Sequence, residues 1–299
     1  ILQALEKLKR YSAESIPSGS SDLAMAPDFK SWLTNEIDRS KTASLPTYLS
    51  RLVVFYHSRY TKMEPSMYSF SELADLVSLE NMDPEALGRV CLALEVEGDS
   101  RAVAHSLYLT NSFPKSNARA MGYLALARQA FKNKQFEDAR NWLEKSETEI
   151  PMHPHLNEAR LLLGQVESQL GAYDASISTY ESLLRLKSAR GRPHALALAG
   201  IANAHRTFGD REKAAAFYQR IFNMYRAYPD LVASAYWESA QLFRGMNKTV
   251  EAVKTLQEML SQSQLAQYPE WEKAQQSLPE WTALIPENTI LESEEEPNE

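Results

Sequence analysis

The sequence predicts an all-α protein assembled from repeated helix–turn–helix units, and three observations carry that expectation. The composition favours helices, since Ala, Leu, Glu, Gln and Arg are plentiful in the 299-residue chain whereas Gly and Pro number only 10 and 14. A small residue followed four positions later by a large one recurs at a nearly constant interval. Turn-forming residues fall between this pattern and a second helical pattern upstream of it in every copy.

Taken in chain order, Ile1–Arg10 reads as the end of a helix, and the Ser-rich stretch with Pro and Gly that follows completes a segment 1–27 expected to act as a linker. Residues 28–83 are expected to form a divergent helical pair that caps the array. Phe29 to Ile37 and Leu45 to Met63 have helical patterning, the latter strongly amphipathic through Leu49, Leu52, Val53, Phe55 and Tyr56. Ser69 and Glu72 then make a capping box that opens a short helix through Leu73, Leu76 and Val77.

The repeats occupy residues 84–268. Four stretches carry the second-helix pattern: Phe136-Glu-Asp-Ala139-Arg-Asn-Trp-Leu143, Tyr173-Asp-Ala-Ser176-Ile-Ser-Thr-Tyr180, Arg211-Glu-Lys-Ala214-Ala-Ala-Phe-Tyr218 and Thr249-Val-Glu-Ala252-Val-Lys-Thr-Leu256. Ser100-Arg-Ala-Val103-Ala-His-Ser-Leu107 is a fainter copy, and from Val103 through Ala139, Ser176, Ala214 and Ala252 the intervals are 36, 37, 38 and 38 residues. Upstream lie Leu87-x-x-Val90-Cys91-x-x-Leu94, Tyr123-x-x-Leu126-Ala127-x-x-Ala130, Leu163-Gly164, Leu198-x-x-Ile201-Ala202-x-x-His205 and Tyr236-x-x-Ser239-Ala240-x-x-Phe243. Gly98-Asp99, Asn133-Lys134, Gly171-Ala172, Gly209-Asp210 and Met246-Asn247 supply the turns. Small residues are expected where helix backbones approach, with the large residue filling the space beside them. Pro269 to Pro286 reads as a capping helix interrupted at Pro279, with Trp271 and Trp281 available to cover the last repeat. Residues 287–299 hold six acids and no base, so this tail is expected to be disordered.

These residues resemble the tetratricopeptide repeat, best from Gly122 to Pro151, where Tyr123, Leu126, Ala127, Phe136, Ala139, Leu143 and Pro151 fall on its pattern. Other copies depart from it: Arg160 and Glu167 stand where aromatic residues are usual, and the period exceeds 34. The resemblance implies a right-handed α-solenoid of about five antiparallel helix pairs that holds a protein or peptide in its concave groove. The loose consensus resembles bacterial repeats, including those of envelope-assembly proteins, which implies a bacterial cytoplasmic or periplasmic setting. The family's carboxylate clamp of Lys, Arg and Asn is incomplete here, because Leu124 with Arg128, Leu161 with Gln165, then Asn203 and Arg206 stand at its positions. Binding of chaperone tails is therefore not implied.

The net charge of −7 belongs almost wholly to the tail, because removing its six acids leaves the rest at −1. Such a body offers no field for a nucleic-acid backbone. Cys91 is the lone cysteine and excludes an internal disulfide. It occupies a small-residue position with no activating His pattern, so it reads as a packed thiol rather than a nucleophile. His153-x-His155 lacks a carboxylate or Cys at ligand spacing, and His205 takes an aromatic's place in the core. No phosphate loop, nucleophile elbow or zinc-protease motif occurs. The chain is thus expected to be non-catalytic, without metal or cofactor. No apolar run approaches the roughly 18 residues of a membrane span. It opens Ile1-Leu2-Gln3-Ala4-Leu5, with neither Met nor a leader pattern, and is expected to be a piece of a longer polypeptide or a processed chain.

The functional expectation is a partner-binding scaffold whose groove carries Leu124, Arg128, Phe131, Leu161, Gln165, Asn203, Arg206, Trp237, Gln241 and Arg244. Arginines interleaved with Phe131 and Trp237 suit an acidic partner with an apolar anchor. Two alternatives stand beside it: a structural or regulatory arm of a larger multidomain protein, and a helical-repeat enzyme of the kind known among polysaccharide-processing enzymes.

Overall fold

A computed structural model describes residues 79–82 and 84–285. The expected linker, the helices before residue 79, the Ser69–Glu72 capping box and the acidic tail lie outside the described residues. Within them the chain is all-α: eleven α-helices, three short 3₁₀ turns and no strand. It divides into two compact units, Ile1–His155 and Leu156–Glu299.

The first unit holds α1 (Pro84–Glu97), α2 (Arg101–Ser112), α3 (Arg119–Lys132) and α4 (Phe136–Glu149). Each packs on the next, and α1 also packs on α3. The second unit holds α5 (Leu156–Gln169), α6 (Tyr173–Arg185), α7 (Arg192–Phe208), α8 (Arg211–Met224), α9 (Pro229–Gly245), α10 (Thr249–Leu260) and α11 (Pro269–Thr282). Here too each helix packs on its successor, with further contact between α5 and α7 and between α9 and α11. Two or three residues join the members of a pair, whereas four to eight join one pair to the next inside a unit.

Every within-pair turn places one residue in the left-handed region: Gly98, Lys134, Gly171, Gly209 and Asn247, with φ between 61° and 99°. A left-handed residue reverses the chain while satisfying the last helical carbonyls, and glycine does so without a Cβ penalty. The turns sit at the dipeptides read as turn signals, so the local grammar of the pairs was in the sequence.

The buried small residues match the repeat phase in four of five second helices: Ala139, Ser176, Ala214 and Ala252 are fully buried. The first copy differs from the sequence reading by one residue. Ala102 and Ser106 take its inward positions, while Val103 and Leu107 each remain 37% exposed. The cause lies in α3, where Gly122 lets the backbones close in; a Cβ there would stand 3.2 Å from the Ser106 carbonyl oxygen. With Ala102 as reference the intervals become 37, 37, 38 and 38 residues.

In the second unit the tightest packing surrounds Tyr180, whose ring lies between Gly164 of α5 and Gly200 of α7. A Cβ on either glycine would approach the ring to 2.5 or 2.3 Å. Ser176 Oγ donates to the Gly164 carbonyl at 2.7 Å, fixing α6 against α5. Farther on, Phe222 stacks on Tyr236 at 3.9 Å between centroids. Helix α11 runs through Pro279 instead of stopping there. The hydrogen bond that proline forgoes is to the carbonyl of exposed Gln275 in the last turns, where water can replace it.

Candidate partner-binding surface

The ten residues nominated for a groove fall into distinct environments. Leu124 is 1% exposed and belongs to the core, because α3 is enclosed by α1, α2 and α4 and is buried continuously from Ala120 to Ala127. Nothing of its side chain is left for a partner. Phe131 is half-buried and meets Phe136 edge-on at 5.5 Å. Leu161 is half-buried, packed beside Tyr180 and Leu183. Gln165, Asn203 and Gln241 are exposed, and the Asn203 Oδ1 accepts a hydrogen bond from Tyr218 at 2.9 Å.

Two of the three arginines already have carboxylate partners. Arg128 pairs at 3.3 Å with Glu95, which is 2% exposed on α1 and also receives Lys132. Arg206 on α7 pairs with Glu238 on α9. Arg244 is half-buried on α9. Trp237 is likewise half-buried, stacked at 6.0 Å and 19° on Trp281 of α11. The chain's own last helix therefore covers the aromatic that the sequence left looking for an occupant.

Other residues singled out in the sequence take the packed roles expected of them. Cys91 is fully buried, and desolvation pushes its thiol up to about 12, leaving negligible thiolate at neutral pH. His205 stacks on Phe217 at 5.6 Å. Among the described residues no three His, Cys, Asp or Glu side chains converge into a metal site. No helix among them is long and apolar enough to cross a membrane.

A cleft of about 590 Å³ opens inside the first unit, and none of the nominated groove residues lines it. Its floor is Val103 and Leu107 of α2 with Leu126 and Ala130 of α3, and α4 forms the opposite wall through Asp138, Asn141, Trp142 and Lys145. Gln129, Asn133 and Gln135 rim the end near the α3–α4 turn. The wall is braced from behind. Trp142 stacks on Tyr123 at 6.0 Å, and the Lys145 ammonium lies 5.7 Å from the Trp142 ring centroid and 5.5 Å from that of Tyr123. The Tyr123 hydroxyl donates to Glu149 Oε2 at 2.9 Å, and Arg119 pairs with the same carboxylate.

These contacts shift two groups in opposite directions. Burial, then the hydrogen bond and charge of Glu149, push the Tyr123 phenol up to about 12. For Glu149, burial works upward, but the Tyr123 and Arg119 hydrogen bonds outweigh it and hold the carboxyl below its ordinary 4.5.

The sequence reading missed this cleft because the slipped phase of the first copy assigned Val103 and Leu107 to the core. A signal was nonetheless present. In the corrected phase the counterparts of Leu107 are Glu144, Glu181, Gln219 and Gln257, all polar, so an apolar residue there is an exception among five copies. The chain matches no protein-family model, and a search of characterised proteins finds none that matches it.

Proposed function

We propose that this chain is a non-catalytic protein-interaction scaffold of the tetratricopeptide kind, holding a partner protein or peptide on its helix faces. The observation that carries the reading is the apolar pair Val103 and Leu107, left solvent-facing above a pre-braced aromatic wall in a repeat whose other copies are polar at the Leu107 position. Exposed apolar surface next to polar residues is the usual mark of a recognition site. Five helix pairs at a near-constant period, with the Tyr123 to Pro151 stretch on the family pattern, support the family assignment. An acidic partner in a first-helix groove draws less support, since Arg128 and Arg206 already pair with Glu95 and Glu238.

The second reading, a structural or regulatory arm of a larger protein, is favoured by the Trp237–Trp281 stack, in which the chain covers its own nominated surface. Crosslinking and recovery of partners with the full chain separates the two. The scaffold reading expects a stable partner lost on Leu107→Asp, or on Trp237→Ala with Arg206→Glu and Arg244→Glu, at unchanged helicity. Absence of any stable partner favours the arm.

A further inference from the structure

The α2–α4 cleft carries more information than its apolar floor. Four carboxamides line it, Gln129, Asn133, Gln135 and Asn141. Their side chains make no hydrogen bond among the described residues. A carboxamide both donates and accepts, which is the pairing an extended peptide backbone needs along its edge. The spacing agrees. Residues four apart on a helix are separated by about 6 Å along its axis, as Gln129 is from Asn133 and Val103 from Leu107. Two residues of extended chain advance by about 6.6–6.8 Å. Successive same-side groups of a strand laid along the cleft therefore meet successive turns of α2 and α3. A helical occupant would have its backbone groups satisfied internally and no use for four carboxamides.

Charge defines the ends. Asp138 and Lys145 lie seven residues apart on α4, about 10 Å along the axis, so charged groups four residues apart in an extended chain, about 13 Å, meet them by side chains leaning inward by about 3 Å in all. Asp138 has no cationic partner among the described residues, and the carboxylate that Lys145 meets, besides the Tyr123 and Trp142 rings, is Glu149 at 4.0 Å, whose other oxygen is engaged by Arg119 and Tyr123. The cleft thus presents one anion and one cation around an apolar centre. That arrangement disfavours the chain's own tail, whose six acids and no base would meet Asp138.

We propose that the cleft binds an extended segment of a partner protein in which alternate residues are basic, apolar and acidic, the apolar side chain seated on Val103, Leu107 and Trp142, the basic one at Asp138 and the acidic one at Lys145. This rests on the scaffold reading above and names a site and a partner chemistry for it.

The test uses the full chain and a fluorescein-labelled, C-terminally amidated peptide, Thr-Lys-Thr-Leu-Thr-Glu-Thr, read by fluorescence anisotropy. Saturable binding is expected, weakened at least about tenfold by Leu107→Asp and by Asp138→Lys. Asp138→Lys is expected to bind the di-acidic peptide Thr-Glu-Thr-Leu-Thr-Glu-Thr more tightly than the parent chain does. Methylating the threonine backbone nitrogens should abolish binding. Both side chains changed face solvent, so melting temperatures should hold; where Leu107→Asp lowers them, Asp138→Lys and the methylated peptide still decide. The proposal is overturned if neither peptide binds saturably by about 1 mM, or if binding is indifferent to Leu107→Asp and Asp138→Lys. Recovery of a partner that ignores Leu107→Asp overturns this site while leaving the scaffold reading intact. The scaffold reading falls if no partner is recovered by any variant, whereas peptide binding with the expected switch still supports the cleft.

Discussion

Residues 79–155 and 156–285 use the same helix pair and the same left-handed turn, yet they hold their helices together differently. The second unit closes through aromatic rings: Tyr180 fills the space left by the missing side chains of Gly164 and Gly200, Phe222 stacks on Tyr236, and Trp237 stacks on Trp281. Both units carry polar staples, but the first unit buries one: Glu95, 2% exposed, gathers Arg128 and Lys132 across α1 and α3, whereas the cross-helix pairs of the second unit, Arg192–Asp230, Arg206–Glu238 and Lys248–Glu212, lie at the surface. The first unit also leaves a cleft floored by Val103 and Leu107 of α2. The contrast teaches that a repeat's spacing fixes the number and direction of helices, while the residues between the small positions decide whether neighbouring helices seal or leave a cleft.

The sharpest way to break the contrast is to fill the space around Tyr180. Gly200→Ala should destabilise the second unit by about 2–3 kcal/mol, because the new methyl group would stand 2.3 Å from the Tyr180 ring, which Gly164 confines on its other side. Gly164→Ala should act similarly. Combining either with Tyr180→Leu should recover part of the loss, which a double-mutant cycle by urea unfolding measures. Additive losses would mean that the ring does not fill that space.

A somewhat smaller loss tests the phase shared by both units. Ala139→Leu and Ala214→Leu should each cost about 1–3 kcal/mol, whereas the same change at exposed Ala216 should stay within roughly 0.5 kcal/mol. Equal tolerance at buried and exposed sites would mean the common packing phase is wrong. Next in size is Trp281→Ala, which uncovers Trp237. It should red-shift the remaining tryptophan emission and lower stability by about 1 kcal/mol beyond the area lost; unchanged emission would argue against the stack.

Acid should distinguish the units more gently. The folded Glu149 carboxyl sits below its ordinary 4.5, so the stability it contributes is present above that value and disappears as pH falls through the folded pKa. Chain carrying Glu149→Gln should therefore melt below the parent at pH 7, with the gap closing in acid and narrowing with salt, since the group is partly exposed. A gap that persists to low pH would show the effect is not the carboxylate's charge. The smallest effect belongs to a turn. Lys134 holds a left-handed φ of 61° where three of the other turns use Gly, so Lys134→Gly should raise stability by up to about 1 kcal/mol, with Gly209→Lys lowering it.

Much of this architecture could be read from one strand of text. Turn residues two or three apart from helix ends, and the four well-phased small residues, follow from local conformational preference and periodicity, which act within a few residues and survive any packing. Tyr123, Leu198 and Tyr236 are buried where the first-helix pattern put them. The candidate site was far less legible. Leu124 looked solvent-facing because a two-sided helix was assumed, whereas α3 has three neighbours. Arg128 and Arg206 looked free because their partners, Glu95 and Glu238, lie 33 and 32 residues away.

The sequence by itself determined the class of fold, the helix pairs, their turns and the near-constant period, since each is set by side-chain periodicity and backbone preference within one pair. Tertiary structure alone decided the register of α2, the burial of Leu124, the covering of Trp237 and the opening of the α2–α4 cleft. Those outcomes depend on how closely two backbones approach, and that distance is fixed by single atoms such as the missing Cβ of Gly122, which no period in the sequence reports.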